Sequence, residues 1–249
     1  MIIKIIVFIN LFFSYLVFAE STKLIVGYGD HNGAPYAIEA GEQLQAGIIK
    51  DLVTEISAEL DIDIQFEKTP RKRIERYLES DTIHLVLFTN PKWLSNSDKL
   101  QWSQSLFTER DQLVVKADNP NSYHAFKDLK HMTIGTIRGY SYPNLQPYFD
   151  KNYFTRYDVS SVDVNFIRLE LNRIDALVDS EILINFHLQQ SSKANKFRVL
   201  PFHVSEHKIY AALSPNAPIT LADLNKTLSK FHQQGVIEAI LKKYRVSKQ

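Results

Sequence analysis

The sequence predicts an α/β protein with two lobes, each a mainly parallel sheet flanked by helices, joined by two strands. Three observations lead to this prediction. Short apolar runs typical of strands alternate with segments whose apolar residues recur every three or four positions. The strand–loop–helix pattern occurs in two successive blocks. Strand-like segments near Leu113 and Ile209 lie where the chain would cross between the blocks and return.

The first block begins with a strand and ends with the first joining strand. Its strands are predicted by short apolar or alternating runs at 24–26, 61–67, 83–88 and 112–117. A helix is predicted at 48–60, because the apolar residues of this segment fall on one helical face. Thr69 as N-cap, followed by Pro70, predicts a second helix that ends near Ser80. Residues 102–107 fit neither pattern.

The second block repeats the alternation and then returns the chain to the first. Strands are predicted at 132–137, 174–178, 197–200 and 208–213, the last being the second joining strand. Helices are predicted from about Tyr142 or Pro143 and at 161–172 and 181–190, after a short turn at 126–130. Thr220 is expected to cap a further helix, which Gly235 separates from the last one.

The joining strands set the predicted limits of the lobes. Lobe one is expected to comprise residues 20–112 and 206–249, and lobe two residues 113–205. The first nineteen residues belong to neither, because they have the pattern of a secretory signal peptide. Lys4 precedes an apolar run, and Ala19 is the small residue that precedes cleavage. The alternative is a retained membrane anchor, since the apolar run is near the lower length limit for a span.

Composition excludes several classes of function. Without Lys4 the mature chain has 28 basic and 28 acidic residues, a balance that argues against nucleic-acid binding. The chain has no cysteine, and its histidines show no metal-binding spacing, so we expect neither a metal site nor a cofactor. The loop at 27–33 lacks the third glycine of a dinucleotide fingerprint, because Asn32 takes its place.

The order and spacing of several segments resemble a known family, the extracellular solute-binding proteins of family 3, whose typical members bind amino acids. The segments that carry the resemblance are 24–27, 34–36, 47–52, 126–129, 134–135, 138–142, 172–178 and 210–214. The resemblance implies the fold of periplasmic binding proteins, with two α/β lobes that close on a ligand by hinge motion. It also implies periplasmic localisation and a monomeric protein that serves an ABC permease or a membrane sensor.

One segment departs from the family pattern. Amino-acid binders of this family usually have a Thr-x-x-Arg segment after the strand that corresponds to 83–88, and its arginine holds the ligand carboxylate. Residues 89–98 contain no arginine, and Lys92 would supply charge without a bidentate fork. The ligand is therefore expected to be a small polar solute, either amino-acid-like or another small organic acid.

Candidate ligand contacts in lobe one lie on loops that follow strands, where ligand contacts concentrate. They are Asp30 and Tyr36 in the long loop after the first strand, and Thr89 and Trp93 after the strand 83–88. The two aromatic residues offer stacking surfaces, and packing within the loop is the alternative. Arg73 lies among several basic residues at a helix start and matches the Pro-x-x-Arg pattern of divergent family members. A solvated basic face is the alternative for this cluster.

Candidate contacts in lobe two lie in two turns. Arg138 and Tyr140 belong to a turn before a helix, where free backbone N–H groups bind anions. By resemblance, an acidic residue after the strand 174–178 takes the ligand ammonium. Asp179 lies near that place, although the usual spacing falls on Ser180, and either residue would also cap the following helix.

The sequence thus predicts a solute-binding protein that does not act as an enzyme, and two alternatives remain. The first is a ligand-sensing partner of a membrane receptor, since the family fold also serves as a receptor input module. The second is an enzyme similar to cyclohexadienyl dehydratase. That chemistry needs a positioned acid or base, for which Glu181 and His31 are the candidates.

Overall fold

The computed structural model describes residues 23–29, 31–190 and 194–244. The predicted signal peptide and Asp30 lie outside the described residues. The strands are β1 (Leu24–Tyr28), β2 (Ile38–Ala40), β3 (Gln43–Ala46), β4 (Ile64–Lys68), β5 (Leu85–Thr89), β6 (Gln101–Trp102), β7 (Phe107–Lys116), β8 (Thr133–Ile137), β9 (Thr155–Val159), β10 (Ala176–Ser180) and β11 (Phe197–Leu213). The helices are α1 (Ile48–Leu60), α2 (Ile74–Glu79), α3 (Gln146–Asp150), α4 (Val162–Glu170), α5 (Glu181–Gln190), α6 (Leu221–Gln234) and α7 (Val236–Tyr244).

Two parallel sheets are joined by two long antiparallel strands, as the sequence predicts. In the first sheet β4, β1 and β5 are parallel, and in the second β9, β8 and β10 are parallel. Strand β7 pairs antiparallel with β10, and β11 pairs antiparallel with both β7 and β5. The predicted α/β fold class is therefore confirmed. The predicted lobe limits at 112/113 and 205/206 fall inside β7 and β11.

The second joining strand is longer than predicted. The sequence predicts separate strands at 197–200 and 208–213, whereas β11 runs without a break from Phe197 to Leu213. The intervening residues are mostly exposed or half-buried, so they lack the apolar run by which a buried strand is recognised. The register with β7 shifts between Val199 and Ser205, on either side of His203. Such irregularities bend a strand, as the passage between two sheets requires.

The predicted role of Thr69 as a helix N-cap is wrong. The hydroxyl of Thr69 donates to the carbonyl of Glu67 at 3.1 Å, and Arg71–Arg73 form a 3₁₀ turn before α2 begins at Ile74. Arg71, in this turn, reaches toward Tyr140 of the other lobe. Two elements were not expected, the β2–β3 hairpin and the edge strand β9, and both are largely exposed.

Apolar packing continues from one lobe into the other. One core contains Leu52 and Ile56 of α1 together with Phe166 of α4 and Leu183 of α5. A separate core lies entirely within the proposed second lobe and includes Leu113, Phe154 and Val178. Within the described residues, no helix has both the length and the apolar composition to cross a bilayer.

We expect Thr220→Ala to lower the free energy of unfolding by about 1 kcal/mol, because it removes an N-cap. The Thr220 hydroxyl accepts from the backbone N–H of Asp223 at 3.0 Å at the start of α6. Urea unfolding followed by circular dichroism would measure the loss. Thr220→Ser keeps the cap and should cost only a few tenths of a kcal/mol. Equal losses for the two variants would contradict the capping role.

Candidate functional site

A small cavity of about 40 Å³ lies where the two lobes meet. Its walls combine residues of the first lobe, such as Tyr36 and Trp93, with Tyr140 and Asp179 of the second, and with Glu109 of the joining strand β7. A cavity of this size has room for a few water molecules only. A larger molecule would fit only if the walls of the cavity moved apart.

Direct contacts between the lobes close the cavity. The Tyr140 hydroxyl donates to the backbone carbonyl of His31 at 3.0 Å. The rings of Trp93 and Tyr140 are nearly parallel, at 15°, with centroids 6.5 Å apart. Gly33, whose φ is +63°, would bring a Cβ within 3.2 Å of Leu183. Glycine there permits both the left-handed backbone and the close approach of the lobes.

Three carboxyl groups line the cavity. Glu109 and Asp111 are two residues apart in β7, and so point to the same face of the strand. The Tyr36 hydroxyl donates to Glu109 Oε1 at 2.5 Å, and the Ser205 hydroxyl donates to Asp111 Oδ2 at 2.6 Å. Glu109 thus links β7 to Tyr36 of the first lobe, and Asp111 links β7 to β11.

The third carboxyl group, Asp179 near the end of β10, is only half satisfied. The backbone N–H of Ser180 donates to Asp179 Oδ1 at 2.9 Å. Asp179 Oδ2 is buried and has no hydrogen-bond partner among the described residues. A buried acceptor without a donor costs free energy, so a hydrogen-bond donor of a ligand would be stabilised at this oxygen.

Burial raises the pKa of all three carboxyl groups. It raises the pKa of Glu109 to about 8, and the neighbouring charge of Asp111 adds to the effect. Burial also raises the pKa of Asp179 well above its usual value, with contributions from Asp111 and Glu109, and raises that of Asp111. At neutral pH Glu109 is therefore mostly protonated, and burial favours the neutral form of Asp179 as well.

Two basic side chains also line the cavity. Arg71 Nη2 donates to the carbonyl of Trp93 at 3.3 Å, and its guanidinium carbon lies 5.7 Å from the centroid of the Tyr140 ring. Burial lowers the pKa of Arg71, which nevertheless stays charged. His207 lies edge-on to Trp93 at 4.8 Å, and burial lowers its pKa, so its ring is mainly neutral at pH 7.

Aromatic rings form much of the cavity wall. Tyr36 packs on Phe88 with ring centroids 4.8 Å apart, and Tyr140 packs on Tyr142 at 6.4 Å. Phe88 has a φ of +58°, which a bulky residue rarely adopts. Such backbone strain is typical of ligand sites, because surrounding contacts have to hold it in place.

The structure brings four of the predicted contact residues together and places three others elsewhere. Tyr36, Trp93, Tyr140 and Asp179 line the cavity. Thr89 is buried at the end of β5, and Arg138 is exposed and donates its backbone N–H to Val159, so neither side chain lines the cavity wall. Arg73 is exposed, and its Nη1 donates to the Tyr77 hydroxyl at 3.3 Å. Arg71 is the arginine of this basic cluster that faces the cavity.

Glu109, Asp111, Arg71 and His207 were not singled out from the sequence. A signal was present for the acidic pair, because two carboxyl residues alternate in a strand just before the buried run Leu113–Val115. Charged residues at the inward positions of a strand are uncommon unless they are paired or functional. Among the described residues, no three His, Asp or Glu side chains are grouped as metal binding requires.

The sequence model of one protein family, the bacterial extracellular solute-binding proteins, family 3, matches residues 24–247 of this chain. Among curated proteins, none is similar enough in sequence to count as a match. Several solved structures share the fold. An ancestral arginine-binding protein bound to arginine has a TM-score of 0.75 at 19% identity, covering 89% of this chain and 97% of that one.

Two further structures show the same likeness of fold. The amino acid ABC transporter substrate-binding protein AbpA from Streptococcus pneumoniae, bound to L-arginine, has a TM-score of 0.75 at 15% identity, covering 91% and 97% of the two chains. The GluR0 ligand-binding core from Nostoc punctiforme, in complex with L-glutamate, has a TM-score of 0.73 at 15% identity, covering 89% and 98%.

Proposed function

Because the chain belongs to the bacterial extracellular solute-binding proteins, family 3, we propose that it captures a small polar solute between its lobes by hinge closure. One observation carries the proposal. The junction of the lobes encloses a cavity whose walls hold buried carboxyl groups, an arginine and several aromatic rings. Apolar packing alone would not place so many polar groups there, because each has to be desolvated when the lobes close.

The joining strands provide the hinge in this proposal. Strands β7 and β11 pass between the two sheets, and the register shifts of β11 beside β7 are places where the backbone can bend. Opening would break the Tyr140–His31 hydrogen bond and separate the rings of Trp93 and Tyr140. A solute that contacts both lobes would replace these contacts and shift the population toward the closed form.

The two tryptophans of the chain allow a direct test of solute capture. Trp93 lines the cavity, whereas Trp102 lies outside it in β6, with Nε1 donating to the Ser97 carbonyl at 2.8 Å. In Trp102→Phe, we expect a saturable change of Trp93 fluorescence when the captured solute is added from a panel of polar metabolites. The matched variant Trp93→Phe keeps Trp102 and should show no such change.

Saturating solute should also raise the melting temperature of the mature protein, residues 20–249. At about 100 times the dissociation constant the gain is about 2.7 kcal/mol, which corresponds to roughly 5–10 °C for a chain of this size. Small-angle scattering should show compaction. If no metabolite changes either Trp93 fluorescence or the melting temperature, solute capture is wrong.

We further propose that the signal peptide is cleaved and that the protein works in the periplasm as a monomer, delivering its solute to an ABC importer. Support for import comes from the similar AbpA structure, which is an ABC transporter substrate-binding protein. The GluR0 ligand-binding core supports the sensing alternative, since the same fold serves there as a ligand-binding core. Permease and ATPase genes beside the gene would support import, and a lone kinase or cyclase gene would contradict it.

Binding without turnover is part of the proposal. The family is one of solute-binding proteins, although Glu109, a buried carboxyl group with a pKa of about 8, has the protonation state of a general acid at neutral pH. Incubation with prephenate-type acids should therefore leave them unchanged. Turnover that Glu109→Gln abolishes would make the protein an enzyme.

A further inference from the structure

Resting on the proposed function, we infer that the captured solute is a small organic cation with a net positive charge. Its charge is held by the carboxyl groups of Glu109, Asp111 and Asp179 within the aromatic walls of the cleft. A site for the single ammonium group of a zwitterion needs one carboxyl group. This cleft has two more, Glu109 and Asp111 of β7.

The balance of charges in the cavity is the first argument. Three carboxyl groups face it, and Arg71 is the one side chain among its described lining residues that is always charged positively. Its guanidinium already contacts the Trp93 carbonyl and the Tyr140 ring. The cavity thus holds three ionisable carboxyl groups against one permanent positive charge, and a solute with a net positive charge would stabilise these groups in their ionised form.

The free oxygen of Asp179 is the second argument. Asp179 is 3% exposed and lines the cavity, and its Oδ2 has no partner among the described residues. It needs a donor, and an ammonium or guanidinium N–H would supply both the hydrogen bond and the opposite charge. Hydrogen bonds of this charge-assisted kind are about twice as strong as neutral ones.

The walls of the cavity fit a cation equally well. Tyr36, Trp93 and Tyr140 present ring surfaces around the carboxyl groups, and such rings attract cations through their quadrupole. The segment 89–98 contains no arginine, and Trp93 within it adds aromatic surface to the lobe-one wall.

Release of protons on binding is a measurable consequence of this inference. Glu109 interacts with Tyr36, Ser180, Asp111, Glu181 and Tyr140. Asp179 interacts with the backbone of Ser180, with the carboxyl groups of Asp111, Glu109 and Asp163, and with Tyr140 and Tyr142. Because Glu109 is mostly protonated at neutral pH and burial favours the neutral form of Asp179, a cation that enters shifts both groups toward their ionised form. Binding then releases protons, and the affinity rises with pH up to about pH 8.

Isothermal titration calorimetry of the mature protein at pH 7 tests the charge class. The probes are 1,4-diaminobutane, choline, L-arginine, L-glutamine and L-glutamate, each in two buffers of different ionisation enthalpy. We expect at least one of the three net-positive probes to bind about 10-fold or more tightly than glutamine and glutamate, with release of protons.

The outcomes separate this inference from the proposed function. Tightest binding of glutamine or glutamate, or proton uptake on binding, would overturn the inference and leave solute capture standing. If none of the probes binds while Trp93 fluorescence responds to a neutral or anionic metabolite, the inference also fails. If no solute of any charge binds, both fail.

Two variants test whether a carboxyl group of the cleft holds the charge of the cationic probe. Asp179→Asn has nearly the same shape and should weaken binding of the cationic probe about 10–100-fold, because a charged hydrogen bond contributes about 1.5–3 kcal/mol. Asp118→Asn removes an exposed carboxylate outside the cavity and should leave the affinity unchanged within twofold. If Asp179→Asn fails to fold, Glu109→Gln replaces it, with the same loss of affinity and fewer released protons expected. Unchanged affinity in the folded variant would contradict the assignment.

Discussion

Glu109→Gln is expected to make the stability of the ligand-free protein decline less steeply between pH 5 and pH 8, with Asp179, whose pKa burial also raises, retaining part of the decline. The pKa of Glu109 is about 8 in the folded protein, against 4.5 for an ordinary Glu, because the carboxyl group is buried. Below pH 4.5 it is protonated in both states. As the pH rises toward 8 it ionises in the unfolded chain alone, so folding becomes less favourable, and above about pH 8 the loss is complete.

At about 1.4 kcal/mol per pH unit, Glu109 should account for roughly 3 kcal/mol of the stability lost between pH 5 and pH 8. Gln keeps the size of the side chain and an acceptor for the Tyr36 hydroxyl, and it does not titrate. Urea unfolding at four pH values would give the slope of stability against pH for the wild type and for Glu109→Gln. Glu55→Gln, on the exposed face of α1, should retain the wild-type slope.

Parallel slopes for wild type and Glu109→Gln would mean that Glu109 is ionised in the folded protein, contrary to its buried place beside Tyr36. If the expected result is found, the cleft carboxyl group destabilises the empty protein at neutral and higher pH. Such a cost is common where binding requires groups that the fold itself does not satisfy. A cationic solute would offset it.

Phe154→Ala is expected to lower the free energy of unfolding by about 3–5 kcal/mol, the range for deleting a buried ring. Phe154 is 1% exposed and lies just before β9. Its ring stacks on Tyr148 with centroids 5.3 Å apart and meets Phe149 edge-on at 5.0 Å. It belongs to the core that lies entirely within residues 113–204. Urea unfolding monitored by circular dichroism would measure the loss.

Ile167→Ala is the matched control, because Ile167 lies on α4 and is 56% exposed. Removing its side chain should cost less than about 0.5 kcal/mol. A loss for Phe154→Ala no greater than that of Ile167→Ala would show that the aromatic cluster is loosely packed. A separate early transition in Phe154→Ala would support the proposal that residues 113–205 form a lobe with its own core.

The helices and strands that could be predicted are those whose apolar pattern lies within one short segment of the sequence. Helix α5 has the predicted bounds, and α1 begins and ends where its apolar period does. Gly235 ends α6 in a left-handed conformation, with φ of +69°. The β2–β3 hairpin and β9 were missed because their side chains are mostly exposed, so they carry no apolar run.

By itself the sequence determined the alternation of strands and helices, the two-lobe fold and the family, because these follow from local periodicity and from the order of short segments. The tertiary structure decided which side chains meet in the cleft. It turned Arg71, rather than Arg73, toward the cavity, and it placed Glu109 and Asp111 beside Asp179. Whether a charged residue faces water or another lobe depends on contacts between distant parts of the chain, and no local pattern records those contacts.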